Sequence, residues 1–490
     1  MLSSVALMAS SARAHGFGQR FDLPLPLDLW IGSAGGTIVL TFLMMAVFVR
    51  EAPEPHSYPQ VRLLRVDLAG WSTGRLIIGM LRLLVAGLFL LTIAAGKFGN
   101  PDPYHNLAPT MVWVLWWVGF AYFCALIGNL WSLVNPFATL FGGVEGLYAL
   151  VRGGRELSRN FRYPAWLGAW PAVGIFAAFS WAELVWTNKD VPGALASAVL
   201  YYSILTWLGM FLWGKQVWLR NGEAFSIMFD LMGRFAPVAG RRADGDQTSL
   251  SVVLRPIGIG LLDSSFVTTS LVVFVMGMLS SVTFDGFLDT PLYQDILTAI
   301  YSSQRLEEPL FHLSEISGLE EGALLSSAFL ITSIILFAAV IFLTSATMRA
   351  IVHRTGNRVA PSIGEIACRF ILTLVPIAIA YHLAHYLSLL LTAGQFIFPL
   401  SSDPFGFGWD LFGTAAYEVD LGIVGPRFFW YASISAILVG HIISVYVAHT
   451  VAIRVFGDRR TALLSQIPMI LLMVCYTMTS LWILAQPVVN

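Results

Sequence analysis

Apolar residues in this chain come in long unbroken runs, not in the short alternations that mark elements half exposed to water. Ten runs approach the ~20 residues that cross a hydrocarbon core. They lie near 29–49, 76–96, 111–131, 165–187, 193–213, 264–283, 323–346, 367–393, 428–451 and 465–485. The pattern predicts an all-α fold, a polytopic transmembrane helical bundle of about ten spans. The run at 264–283 is the least regular, because Asp263 stands at its entrance and Gly258 and Gly260 loosen the approach. Pro171, Pro376 and Pro468 fall inside runs and predict kinks.

Composition agrees. Charged residues make up 12% of the chain and hydrophobic ones 57%, with a mean hydropathy of +0.73. Soluble chains carry about 25% charged residues, so a water-facing shell cannot be built here. The bilayer is the expected partner, with other membrane subunits as further candidates. A formal net charge of −1 excludes a nucleic-acid binder working by bulk electrostatics. Cys124, Cys368 and Cys475 have no paired spacing and supply neither a disulfide framework nor a zinc knuckle.

Lysine and arginine orient the spans, since they stay preferentially on the cytoplasmic side. With the first span running inward, the inner segments hold 21 of the 28 cations and the outer ones 6, with Arg82 inside a span. That ratio places both termini outside. Sixteen of the 29 carboxylates fall on the outer side, Asp285, Asp289 and Glu321 among them. An acidic mouth attracts cations; a solvated acidic loop explains the same bias.

Residues 1–14 read as a leader, ending in the small-x-small pattern Ala12-Arg13-Ala14. Cleavage there would expose His15 as a terminal amine-plus-imidazole chelate suited to copper(II). Residues 15–28 carry Pro24 and Pro26 between leucines and predict an extended outer segment. Residues 29–490 then form one transmembrane domain, since no connecting stretch is long or apolar enough for a second. The segments 137–151 and 221–235 look amphipathic, as helices lying along the membrane surface do. No internal repeat stands out, which weakens a transporter of inverted-repeat design.

Histidines inside the spans are the most informative residues, because ionisable groups at membrane depth are costly. His382 and His385 are three apart and share a helix face. Counted from the outer span ends, His382 and His441 both lie roughly 18–20 Å down. His382, His385 and His441 therefore form a candidate metal cluster, for copper or zinc, or a haem clamp. Mid-depth histidines also relay protons, and hydrogen bonding between helices is the structural alternative. His449, near the inner surface, is expected to do something else. Glu183, Arg82 and Asp263 are expected to snorkel near span ends. Asp102 and His105 sit in a proline-rich outer turn, and Asp285 at the outer rim reads as a cap. No serine-hydrolase elbow, phosphate loop or HExxH zinc helix is present.

The segments His15–Leu27 (HGFGQRFDLPLPL), Leu107–Phe137 (LAPTMVWVLWWVGFAYFCALIGNLWSLVNPF), Thr283–Phe287 (TFDGF), Tyr381–Tyr386 (YHLAHY) and Ser480–Pro487 (SLWILAQP) resemble a bacterial polytopic membrane family labelled fenitrothion hydrolase. The resemblance runs from residue 15 to the C-terminus. It implies a multi-pass protein of the bacterial inner membrane linked to cleavage of an organophosphorus ester, and it assigns no catalytic residues. Metal-activated water at the histidine cluster would join the two readings. A haem- or copper-binding redox or metal-handling protein, or a transporter or assembly subunit, is the alternative.

Overall fold

The computed structural model describes residues 23–54, 57–67, 72–241, 249–355 and 361–489. His15 and the leader lie outside the described residues.

In chain order the helices are α1 (Leu27–Phe48), α2 (Thr73–Phe98), α3 (Leu107–Leu126), α4 (Pro136–Val151), α5 (Trp170–Leu184), α6 (Pro192–Trp213), α7 (Lys215–Asn221), α8 (Ala224–Phe235), α9 (Thr269–Leu288), α10 (Pro291–Tyr301), α11 (Gln304–Ser317), α12 (Glu321–Arg354), α13 (Ile363–Ser402), α14 (Pro426–Phe456) and α15 (Arg459–Gln486). Among the described residues, nine of them are long and apolar enough to cross a membrane: α1, α2, α3, α6, α9, α12, α13, α14 and α15. This is an all-α bundle, with one small antiparallel sheet made of β1 (Val61–Asp67), β2 (Val238–Arg241) and β3 (Ser249–Leu254) in the order β1-β3-β2.

Polar side chains set where several helices begin. Ser72 accepts from the Arg75 amide at the start of α2, and Asn106 from Ala108 at the start of α3. Ser362 and Glu365 cap each other's backbone at the start of α13. The prolines start helices where kinks were expected. Pro171 sits in the first turn of α5 and Pro468 follows a fresh start at Ile467, where a missing N–H costs nothing. Pro376 follows a tight 3-10 turn at Ile371–Leu374 within α13.

The run at 165–187 yields only α5, 15 residues, about 22 Å at 1.5 Å per residue and short for a straight crossing. It nevertheless runs most of the height of its neighbours. The Ala169 amide donates to Ser270 Oγ (2.8 Å) at the start of α9, and Phe176 packs on Phe274 at 5.3 Å. Helices α5 and α9 are therefore parallel, and their ends come level near Glu183 and Asp285. The irregular sixth run becomes α9, the most enclosed of the candidate spans, with 78% of its apolar window buried.

Segments assigned to one side by charge gather at one end. Strand β1, from the first inner connection, pairs with β3 from the third. Arg459 donates to Ala46 O at 2.8 Å, and Arg454 to Pro53 O. At the opposite end the outer connections meet, where the Asn100 amide donates to Phe405 O (2.7 Å) and Leu107 N to Pro404 O (3.1 Å). Asp102 caps the proline-rich turn; its bond from the Tyr104 amide, then that from His105, holds its carboxyl below the usual range.

One expectation changes. Helix α8, expected at the surface, is wedged into the core, with Phe225, Met228, Phe229 and Leu231 almost wholly buried. Its N-cap Glu223 is itself buried, held by the amides of Phe225 and Ser226 and by the Tyr202 hydroxyl. Helix α4 keeps its amphipathic face, burying Phe137 and Phe141 while Leu147 and Leu150 stay exposed. His449 is structural: Nδ1 lies 3.1 Å from Gln466 Oε1 and Nε2 2.9 Å from Val49 O, tying α14 to α15 and to the end of α1. His449→Leu removes the ring's one donated bond and its second contact, leaving a buried acceptor unpaired, and should cost about 1–3 kcal/mol, read as a lower melting temperature in detergent. The same change at exposed His312 should leave it unmoved.

Candidate functional site: a buried carboxylate, tyrosine and histidine network

Helices α3, α5, α9 and α13 converge near the ends of α5 and α9. Helix α13 starts beside α9, where Cys368 neighbours Thr269, and then runs parallel to it. That parallel packing brings Glu183, Asp285 and the Tyr381–Tyr386 segment to one level, although none is near another in sequence.

The contacts form one chain. Trp117 Nε1 donates to Glu183 Oε1 at 2.5 Å. The Tyr386 hydroxyl lies 2.8 Å from Glu183 Oε1 and 2.8 Å from Asp285 Oδ2. His385 Nε2 lies 2.8 Å from the same Asp285 oxygen. One end is closed, with Glu183 only 8% exposed; the other touches the surface, the side chains of His385 and Asp285 being 11% and 20% exposed. Trp117 sits on a π-helical stretch, Thr110–Phe120, a geometry that is rare and favours functional sites.

Aromatic rings and a glycine shape the surroundings. His382 lies 5.2 Å from the Trp117 ring and 4.8 Å from that of Tyr386. The Tyr122 hydroxyl donates to Leu383 O at 2.5 Å, fastening α3 to α13. Gly286 is required beside Asp285: a Cβ there would fall 2.6 Å from Ile483 and 3.0 Å from the Tyr381 hydroxyl. Buried and without a hydrogen-bond partner are His382 Nε2, Tyr381 OH and His441 Nε2.

The histidine trio is not gathered as expected. Among the described residues, no group of three or more His, Cys, Asp or Glu side chains is arranged to hold a metal ion. His385 turns to Asp285, whereas His382 faces Trp117 and Tyr122. His441 lies deeper than expected. Ser433 bonds Ala384 O, Ser444 bonds Thr373 O, and Gly440 abuts Pro376, so His441 stands level with Pro376. That is six residues from His382, about 9 Å along the axis. Counting from span ends failed because the outer ends of α13 and α14 are not level, α14 beginning well short of the end of α13 at Ser402. His441 bonds its own helix through Nδ1 to Ile437 O (2.8 Å), with Tyr476 beside its ring. No step through a metal follows from these residues.

Sequence reasoning missed Glu183 and Asp285 as partners of His385 and Tyr386. Glu183 does not snorkel, and Asp285 is inside α9 and not in the loop. The signal was present for Glu183, a lone carboxylate inside the run at 165–187, whereas Asp285 falls just past the end of the run at 264–283. Asp263 makes a local turn with Ser265, and Arg82 reaches Leu133 O at 2.7 Å.

Fold and site define a helical membrane protein with an ionisable network enclosed between its helices. Compared with known proteins, the chain matches no family profile, no curated sequence and no solved structure.

Proposed function

We propose that this protein crosses the bacterial inner membrane ten times, with both termini outside, and works by holding and passing a proton through Glu183, Tyr386, Asp285 and His385. The ten crossings rest on α5 running parallel to α9, and the orientation on the bias of lysine and arginine. The observation that carries the proton reading is the Tyr386 hydroxyl, 2.8 Å from two carboxylate oxygens. A hydroxyl has one hydrogen. It donates to one carboxylate and accepts from the other, which must then carry a proton. That proton can move between Glu183 and Asp285 by reversing two hydrogen bonds, and His385 is the next acceptor. Asp289, just past the end of α9, is a rim exchange group: burial pushes its carboxyl up to about 6, and the Asp285 carboxylate adds to this.

Infrared spectroscopy of the purified chain tests this directly. A protonated carboxylic acid should give its C=O stretch near neutral pH. Glu183→Gln combined with Asp285→Asn should abolish that band, and Tyr386→Phe should shift it. Absence of the band from the wild-type protein would overturn the reading.

Hydrolysis of an organophosphorus ester is the second reading. Four of the five segments that carry the resemblance supply residues to this one place: Trp117, Asp285 with Gly286, Tyr381–Tyr386, and Ile483. In that reading Asp285 orients His385 to take a proton from the attacking water. Phenol release from an aryl phosphorothioate should then fall about 100-fold or more in His385→Ala. Activity retained in that variant removes this reading and leaves the first standing.

A further inference from the structure

A cavity of about 910 Å³ opens far from the network, between α2, α4, α7, α8 and the start of α9. Four cations line it, Arg82, Lys215, Arg220 and Arg234, against a single lining carboxylate, Asp230. Asp230 is engaged by Arg234 Nε at 2.8 Å, and that guanidinium also lies 3.9 Å over the Phe266 ring. Glu145 engages Lys215 only at 3.4 Å. Arg220 is exposed in the last turn of α7.

Arg82 is the unusual member. It stands nine residues into α2, whose exposed neighbours Met80, Leu83 and Leu84 are apolar. An arginine at such depth is costly unless its charge is met. Its Nε bonds Leu133 O, which answers one donor and no charge, and the exposed residue is part of the cavity lining. The cavity is at the end of the bundle where the arginines and lysines gather. Val217 in the lining, and Leu83 and Leu84 next to Arg82 on α2, add an exposed apolar surface.

We propose that this cavity binds a phosphate ester, with Arg82, Lys215 and Arg220 holding the phosphate oxygens. Guanidinium groups match phosphate geometry with paired N–H donors. Basic pockets between membrane helices on the cytoplasmic side take anionic headgroups in this way. The apolar flanks fit the acyl chains of a lipid carrying that phosphate; a soluble phosphate would use only the basic floor.

Native mass spectrometry of the detergent-purified full chain tests the site with dioleoyl phosphatidic acid against dioleoyl phosphatidylcholine, and calorimetry tests inorganic phosphate. Phosphatidic acid should bind about tenfold tighter than phosphatidylcholine. Arg82→Gln combined with Arg220→Gln should erase that preference, and Lys97→Gln, at the opposite end, should keep it. Inorganic phosphate binding that the same double variant abolishes assigns a soluble ester and also supports the site. Should the double variant fail to fold, Arg220→Gln alone, at an exposed position, must still weaken binding. Equal binding of both lipids with no binding of phosphate, or a preference untouched by these changes, overturns the proposal.

Discussion

Asp285→Ala is expected to cost about 3–5 kcal/mol of stability, the loss seen when one partner of a buried ionic pair is removed. The change takes away the oxygen that both His385 Nε2 and the Tyr386 hydroxyl reach at 2.8 Å. It leaves the imidazole unpaired in a low-dielectric setting. Thermal unfolding in detergent reads the loss, and Asp285→Asn separates its parts. The amide keeps an acceptor oxygen and should recover much of the stability, while proton exchange through the network stays lost. An unchanged melting temperature in Asp285→Ala would show that the network does not hold α9 to α13.

Gly440→Leu is the second large effect, and it acts through shape. A Cβ at Gly440 would fall 2.3 Å from Ala380 Cβ and 2.7 Å from Pro376 O. The first contact is with a short side chain and the second with backbone, so neither can swing away. Helices α13 and α14 would have to separate, breaking the bonds from Ser433 to Ala384 O and from Ser444 to Thr373 O. Overpacking costs about 1–3 kcal/mol, and two lost hydrogen bonds add about 1 kcal/mol each. The total should approach that of Asp285→Ala without touching an ionisable group. Gly143→Ala is the control, since nothing lies within 4 Å of its added methyl. If both variants melt alike, the close α13–α14 approach is not what fixes the platform under the histidines.

These two sites differ in how far the sequence foretold them. YHLAHY announces itself as polar residues at membrane depth, and helical spacing alone puts His382 and His385 near one face. Spacing does not say that the two rings flank Tyr386 with different partners, His385 with Asp285 and His382 with Trp117 and Tyr122. The partners of His385 and Tyr386 come from residues 100 or more positions away. Glycine at 440 is silent in the sequence, because a missing side chain gives no hint of what approaches it.

The sequence by itself determined the class of fold and its polarity of charge. Both follow from transfer energies: uninterrupted apolar runs must leave water, and cations accumulate in segments that do not. It also marked which residues are too costly at depth to be idle. Only the tertiary structure decided which of those residues meet. Parallel packing of α5, α9 and α13 levels Glu183, Asp285 and His385, while the offset of α14 carries His441 about 9 Å along the axis even from His382. Axial stagger between helices is set by close contacts such as Gly440 on Pro376, a quantity that span counting cannot contain.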